Sequence, residues 1–191
     1  MLCLKCEANS GWIKAVLKNI DEVIIDHAHC EKKAAGTGMS LLSSYPDKTE
    51  LTLAMADLVE EEIGHFKSVV QILQSKNITL SKDKGDEYVK ALLSYARTTE
   101  PNRLLDRLLI AGIVEARSCE RLQLIASAVE DSELRKFYSE LSNSEAGHYV
   151  AFIKLAKIYF DETIVRARLD ELTEIEKSIV QSLPNLPAMH G

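Results

Sequence analysis

Residues 58–72 read Leu58-Val-Glu-Glu-Glu-Ile-Gly-His-Phe-Lys-Ser-Val-Val-Gln-Ile72, and this stretch decides the fold. Its apolar residues recur every three or four positions, which is the period of one face of an α-helix. Glu62 and His65 stand on that same face, where a soluble helix normally carries apolar side chains. Burying a carboxylate is costly unless a positive charge compensates it. The stretch therefore predicts a helix that faces the core and carries a functional site.

Four long helices with this apolar period account for most of the chain. They are predicted over roughly residues 10–44, 47–76, 99–129 and 131–159, with shorter helices over about 86–97 and 162–182. Asp47, Asp86 and Asp131 stand directly before periodic segments and are predicted to be N-caps. Short links make the first two long helices, and likewise the last two, antiparallel neighbours. Residues 77–85 are polar and belong to a long crossover between the two pairs.

Composition supports one soluble helical domain of 191 residues. Apolar residues make up 46% and charged residues 27% of the chain, with 8 Gly and 4 Pro, which excludes collagen-like and disordered classes. The predicted core is 10–160, with a C-terminal helix and tail over 161–191. A net charge of −6 argues against bulk coating of nucleic acid but not against a local basic face. The chain has no stretch of about 18 apolar residues that could span a bilayer.

The sequence also favours a cytoplasmic location, because its start lacks the apolar segment of a signal peptide. Cysteines of a cytoplasmic protein are expected to be thiols. They are Cys3, Cys6, Cys30 and Cys119. The single Cys-x-x-Cys pair at the start is expected to belong to a frayed terminus rather than to a zinc or redox site.

Each long helix carries ionisable residues near the middle of its apolar stripe. These are Glu31, Glu62, His65, Glu115, Glu145 and His148. Counting residues from the turns places all of them at one depth within about a helical turn. Glu120 is closer to its turn and off the stripe, so Glu115 is the preferred donor. One Glu on each of two helices with Glu-x-x-His on the other two is the arrangement of ferritin-like di-iron or di-manganese proteins.

The predicted fold class is therefore all-α, a ferritin-like four-helix bundle of two antiparallel hairpins with a long crossover and additional shorter helices. Carboxylate and imidazole ligands suit iron or manganese, and each Glu-x-x-His pair can hold one metal because its residues share a helix face. Two alternatives stay open: an iron-oxidising or peroxide-scavenging relative of ferritin or rubrerythrin, and a helical bundle without metal. Rubrerythrins usually add a module with two Cys-x-x-Cys pairs, whereas one pair exists here.

Longer strings around these donors resemble the MiaE family over about residues 10–182. They are Asp26-His-Ala-His-Cys-Glu-Lys-Lys-Ala-Ala35, Glu62-Ile-Gly-His65, Ala111-Gly-Ile-Val-Glu-Ala-Arg-Ser-Cys-Glu-Arg121 and Ser144-Glu-Ala-Gly-His-Tyr149. The resemblance implies a bacterial, cytoplasmic non-haem di-iron monooxygenase. Its substrate would be 2-methylthio-N6-isopentenyladenosine beside the anticodon of tRNA, hydroxylated on the isopentenyl group. It further implies two iron ions on the six stripe residues, O2 as co-substrate, and an external electron donor, an unidentified reductase.

Such a substrate has an apolar tail on a polyanion and predicts an apolar pocket beneath a basic rim. The candidate rim residues are Arg97, Arg103, Arg107, Arg117 and Arg121, for which a solvated helix face is the alternative. His27 precedes Glu31 by one turn and either supports the metal from behind its ligand or is a hydrogen-bonded core histidine. Cys119 and Tyr138 are expected in the core, and His190 in solvent.

Overall fold

The computed structural model describes residues 2–191, which form seven helices and no strand. In chain order these are α1 (Ser10–Lys18), α2 (Ile20–Ser44), α3 (Thr49–Ser75), α4 (Glu87–Leu93), α5 (Asn102–Ala128), α6 (Ser132–Tyr159) and α7 (Glu162–Ser182). The all-α prediction is confirmed. No helix in the described part of the chain has the length and apolar character needed to cross a bilayer.

The chain divides into two compact units. The first unit comprises the residues up to Leu17, Asp86–Leu186 and His190–Gly191, and the second comprises Lys18–Gly85 and Pro187–Met189. The first unit therefore holds most of α1 together with α4 to α7, and the second holds the hairpin of α2 and α3.

In the second unit, α2 and α3 pack closely along their apolar faces. Val23, Leu41 and Leu51 are buried. A Cβ added to Gly38 would lie 2.8 Å from Val59 Cγ2, so glycine allows the close approach. The turn between the helices closes with a hydrogen bond from Lys48 N to Tyr45 O.

The expected N-cap at Asp47 is wrong, because α3 begins at Thr49 after Lys48 and has no side-chain cap. Asp47 lies inside the Tyr45–Lys48 turn, one residue too early to cap the helix. By contrast, Asp86 accepts from Val89 N and Asp131 accepts from Glu133 N and Leu134 N, as expected of N-caps.

In the first unit, α5 is the central helix. It packs against α6 along its length and also contacts α4 and α7. The predicted stripe from Leu105 to Val129 is buried, and so are many residues on the other faces of α5. At Gly112 an added Cβ would lie 3.3 Å from Phe152 Cβ, so α5 and α6 approach closely there. Phe152, Cys119 and Tyr138 are all core residues, as predicted.

The first predicted long helix is interrupted at Asn19, where α1 ends and α2 begins. Asn19 has φ −138° and ψ 41°, outside the helical region. The interruption shifts the helical phase, so Trp12 and Val16 are buried. Leu17 is 44% exposed, although in one continuous helix it would share the apolar face of Ile24, seven residues later. The shorter predicted helix also ends earlier than expected, at Leu93 rather than near Arg97.

Residues 2–9 are packed rather than frayed, which corrects the expectation for the start of the chain. Leu4 is buried. The Lys5 ammonium forms ion pairs with Asp170 and Glu174 of α7 at 2.5 and 2.9 Å. The Ala8 N–H donates to Glu120 Oε1 at 2.8 Å. The four cysteines form no disulfide and are thiols, as predicted.

His190 is buried too, so its expected exposure to solvent is wrong. Its Nδ1 lies 2.8 Å from Asp86 Oδ2 and its Nε2 lies 3.1 Å from Ser118 Oγ. Its ring lies 4.9 Å from that of Tyr88. These contacts hold the end of the chain against α4 and α5.

Candidate metal centre

The second unit brings three of the predicted ligands together. Glu31 on α2 and Glu62 and His65 on α3 offer ligand atoms that all lie within 4.8 Å of one another. His65 Nδ1 is 3.4 Å from Glu31 Oε2 and 3.7 Å from Glu62 Oε2. Both carboxylates are buried, whereas His65 is partly exposed. The Glu-x-x-His spacing achieves this because residues at i and i+3 share one helix face.

The protonation of His65 shows the electrostatic demand of this cluster. Burial by itself would lower the pKa of His65, but hydrogen bonds and charge interactions with Glu31 and Glu62 outweigh burial and raise the pKa to about 10. Without a metal, the imidazole is therefore protonated at neutral pH and compensates part of the buried negative charge. A divalent cation bound to the same donors would replace that proton.

His27 supports Glu31 from one turn earlier on α2. Its Nε2 lies 2.6 Å from Glu31 Oε1, close enough to donate a hydrogen bond, and both residues are buried. A hydrogen bond of this kind fixes the orientation of a carboxylate. His27 is therefore a hydrogen-bonded core histidine, and its hydrogen-bond partner is a predicted metal ligand.

The first unit brings the other three predicted ligands together. Glu115 on α5 and Glu145 and His148 on α6 are buried, and their ligand atoms also lie within 4.8 Å of one another. His148 Nδ1 is 3.6 Å from Glu145 Oε2. This cluster repeats the composition of the first: one Glu from one helix and Glu-x-x-His from its hairpin partner.

Glu120, the rejected alternative to Glu115, is engaged elsewhere. It forms an ion pair with Arg117 and accepts the Ala8 N–H. These contacts hold the N-terminal segment against α5. The choice made from helical depth thus agrees with the side-chain contacts.

The whole chain, residues 1–191, matches the family model described as tRNA-(MS[2]IO[6]A)-hydroxylase (MiaE). The chain belongs to the MiaE family. Two relatives bear the name tRNA 2-(methylsulfanyl)-N(6)-isopentenyladenosine(37) hydroxylase. The Pseudomonas putida KT2440 relative is 34% identical over 179 residues, covering 94% of this chain and 87% of the relative. The Salmonella typhimurium LT2 relative is 29% identical over 228 residues, covering 94% and 84%.

A solved structure shares the fold of this MiaE-family chain. It is protein 43 with aldehyde deformylating oxygenase activity from Synechococcus, with a TM-score of 0.95 and 32% identity over 100% of this chain and 96% of that chain. The predicted ferritin-like fold class is confirmed by this likeness. The two clusters of Glu and His side chains therefore lie in a fold that a protein with aldehyde deformylating oxygenase activity also has.

The predicted basic rim is wrong at Arg117 and Arg121. Arg117 is fully buried between Glu120 and Glu176, with Nη2 2.8 Å from Glu176 Oε1. The Arg121 guanidinium lies 4.0 Å from the ring centroid of Trp12, a cation–π contact in the interior. A buried guanidinium is inaccessible to RNA, so both residues stabilise the packing of α5 instead. The physical reason is that α4, α7 and the N-terminal segment cover the face of α5 that was expected in solvent.

The other three rim candidates keep access to solvent. Arg103 is exposed, and Arg97 and Arg107 are half-buried. Arg97 shares the fully buried Asp106 with Arg168: Arg97 Nη2 lies 2.6 Å from Asp106 Oδ1, and Arg168 Nη2 lies 2.8 Å from Asp106 Oδ2. Sequence patterns missed this triad because Arg168 is remote in the chain, and no spacing rule links it to Asp106.

Tyr149 is a further residue that the sequence did not single out. It follows His148 on α6, and an added Cβ on Gly112 would lie 3.6 Å from its ring. A hydrogen bond joins its side chain to Cys3, while burial raises its pKa above the usual value. The N-terminal segment therefore reaches the residue next to a predicted metal ligand.

Proposed function

We propose that this MiaE-family protein hydroxylates the isopentenyl group of 2-methylthio-N6-isopentenyladenosine in tRNA, next to the anticodon, in the cytoplasm. The observation that supports this most directly is the pair of Glu, Glu and His clusters in a chain that matches the MiaE family model over residues 1–191. One atom of O2 enters the substrate as a hydroxyl group. The other leaves as water after an external reductase supplies two electrons and two protons arrive.

Two iron ions would be held by six donors, three from each unit. The proposed ligands are Glu31, Glu62, His65, Glu115, Glu145 and His148. The donor set fits the metal, because carboxylate oxygens and imidazole nitrogens suit iron and because four buried carboxylates require positive compensation. When bound, iron supplies the redox chemistry that activates O2 toward a C–H bond.

The side chains of this protein contribute orientation and exclusion of water. The hydrogen bond from His27 fixes Glu31, and burial keeps Glu62 and Glu145 away from bulk solvent. A dry surrounding protects a reactive oxidant from side reactions and strengthens the electrostatic interactions inside it. The proton on His65 must leave before the ring nitrogen can bind a metal ion, so metal binding to this cluster releases a proton.

For tRNA contact we propose the accessible arginines near the start of α5, namely Arg97, Arg103 and Arg107. Guanidinium groups bind phosphate oxygens strongly, and such contacts depend on local charge rather than on net charge. Arg97 holds Asp106 at the same time, so Arg103 and Arg107 are the better pair to reverse. Replacing both by Glu should weaken tRNA binding while iron content stays unchanged.

The test is hydroxylation of isolated tRNA by the iron-loaded protein. The protein is loaded anaerobically with Fe²⁺, supplied with a chemical reductant and 18O2, and incubated with tRNA that carries the modified adenosine. Nucleoside mass spectrometry should show a hydroxylated product with one 18O atom. Glu115→Ala serves as the inactive control. No product from iron-loaded protein with tRNA present would refute the proposal.

Three other activities are measured on the same preparation. Ferritin-like behaviour would appear as oxidation and retention of many Fe²⁺ ions per chain, and peroxide scavenging as loss of added hydrogen peroxide. The aldehyde deformylating oxygenase activity named for the Synechococcus protein would appear as consumption of an added aldehyde. Any one of these three results without tRNA hydroxylation would replace the proposed function.

A further inference from the structure

The second unit carries a basic surface outside the metal cluster and outside the predicted arginine rim. Four lysines form it: Lys32 and Lys33 on α2, and Lys82 and Lys84 in the loop after α3. We call them the lysine surface. Lys32, Lys82 and Lys84 are exposed and Lys33 is half-buried.

Contacts with α2 hold the loop that presents these lysines. His29 Nε2 lies 2.9 Å from Ser81 O, which ties the loop backbone to α2. Asp83 pairs with Lys32 and Lys33 at 3.3 and 3.4 Å, and it also accepts the Gly85 N–H at 2.8 Å. A loop fixed in this way loses little conformational freedom when it binds a partner.

The lysine surface has an excess of positive charge in an otherwise acidic protein. Two carboxylates pair with its four ammonium groups. Asp83 pairs with Lys32 and Lys33, and Glu22 lies 3.1 Å from Lys84 Nζ. Among the described residues, Lys82 has no ion-pair partner. Net charge over the whole chain is −6, whereas in this cluster the four lysines outnumber the two carboxylates that pair with them. Lysine is a compact point charge that binds phosphate groups in many orientations.

Position along α2 links this surface to the predicted metal site. Lys32 and Lys33 directly follow Glu31, a proposed iron ligand, so they lie at its level along the helix. Residues 81–85 are all exposed, and they include no apolar side chain that could anchor the loop in a membrane. The partner that fits is a hydrophilic polyanion bound close to the level of the metal donors.

We propose that the lysine surface binds the phosphate backbone of the tRNA substrate. The identity of the RNA rests on the proposed function, whereas the presence of a polyanion contact rests on the lysines themselves. Each phosphate contact releases counterions, so the affinity falls steeply as salt rises. The surface therefore contributes affinity and register but no base specificity.

The experiment compares tRNA binding by the iron-loaded parent with that by Lys82→Ala/Lys84→Ala. Lys32 is kept because it helps to hold the loop. The control is Lys136→Ala/Lys177→Ala, which removes the same charge from lysines whose nearest acids lie on their own helices, at 3.8 and 3.7 Å. Fluorescence anisotropy with labelled tRNA at several salt concentrations gives the dissociation constant and its salt dependence.

Loss of the two loop lysines should weaken binding about tenfold near physiological salt and reduce the slope of log affinity against log salt by about 2. The control should change the affinity less than twofold. At saturating tRNA the lysine variant should hydroxylate at the parental rate with a raised KM, because the iron site is untouched. Circular dichroism and iron content check that the variants fold.

Equal binding by the lysine variant and the parent would overturn the inference, and so would an equal loss in the control. A parent that does not bind tRNA would overturn it as well. A parent that binds tRNA through these lysines but does not hydroxylate it would refute the proposed function and leave the inference standing. The two failures are therefore distinguishable.

Discussion

Glu115 and Glu120 lie on the same helix and have different surroundings. Glu115 is grouped with Glu145 and His148, whereas Glu120 is bound to Arg117 and the Ala8 N–H. We expect Glu115→Ala to abolish hydroxylation and lower the iron content measured by elemental analysis. Glu120→Ala should retain most of the iron. Loss of iron in the Glu120 variant with retention in the Glu115 variant would reverse the assignment.

Asp106 compensates two arginines from within the core. Burial would raise the pKa of Asp106, but hydrogen bonds from Arg97 and Arg168 outweigh burial and lower it. A depressed pKa contributes stability that is present above the unfolded-state value and lost as pH falls through the folded-state value. We expect Asp106→Asn to lower the free energy of unfolding by roughly 3–5 kcal/mol at neutral pH.

Urea unfolding at a series of pH values tests this assignment. The difference in the free energy of unfolding between the parent and Asp106→Asn should become smaller as the pH falls below about 4, because the Asp side chain of the unfolded chain gains its proton there. Glu171→Gln is a suitable control, because Glu171 pairs with Arg168 from an exposed position. A difference that is constant from neutral to acidic pH would show that Asp106 acts through packing alone.

At the scale of single residues, spacing predicted which ionisable side chains the helices bring together, and their role as metal ligands stays a prediction. The six ligand candidates stand on apolar stripes, and helical periodicity places such residues toward the core. Arg117 and Arg121 were misplaced because periodicity describes one buried face and gives no account of elements that cover the others. Glu176, the partner of Arg117, lies on α7, and no local pattern pairs the two residues.

Helix glycines in this protein fall into two physical classes. At Gly112 an added Cβ would lie 3.3 Å from Phe152 Cβ, whereas at Gly36 it would meet no atom within 4 Å beyond the adjacent backbone of its own helix. We expect Gly36→Ala to raise the free energy of unfolding by about 0.5–1 kcal/mol, since alanine restricts the unfolded chain and favours helix. Gly112→Ala should lower it by about 1–3 kcal/mol, because α5 and α6 must separate.

Chemical denaturation of the two glycine variants measures both effects. Gly112→Ala should also lower iron content, because Glu115 follows one turn later on α5 and Tyr149 lies beside Gly112. Gly36→Ala is the matched control, because it adds the same methyl group at a position where no neighbouring element is in contact. Stabilisation by both substitutions would show that the contact of α5 with α6 can relax around the methyl group.

Helix starts were predicted correctly at two of the three aspartates expected to be N-caps, whereas the boundary that backbone geometry decides was missed. Asp86 and Asp131 cap α4 and α6 as expected. No proline or glycine marks the break at Asn19, and the apolar residues on its two sides keep the spacing of one continuous helix. Only tertiary packing distinguishes two helices from one continuous helix there.

For the molecule as a whole, metal should act as a structural component. Four carboxylates are buried in the two clusters, and in the metal-free protein they repel one another within each cluster. A ligand that binds the folded state raises its stability by mass action. We expect the iron-loaded protein to melt several degrees above the metal-free protein in calorimetry.

The Glu62→Ala variant provides the comparison for this measurement. With one ligand removed, added Fe²⁺ should raise its melting temperature less than that of the parent. Equal melting temperatures for the loaded and metal-free parent would contradict a stabilising metal centre. The proton on His65 competes with the metal. The iron-induced rise in melting temperature should therefore be larger at pH of about 8 than at pH of about 6.

The order of donors along the chain has a consequence for the history of the gene. Glu31 precedes Glu62-x-x-His65 in one hairpin, and Glu115 precedes Glu145-x-x-His148 in the other. Tandem duplication of a segment that encodes a single hairpin leaves this order. Before fusion, such a segment would encode one cluster of two Glu and one His. Metal binding by each hairpin, expressed as a separate polypeptide, would test this origin.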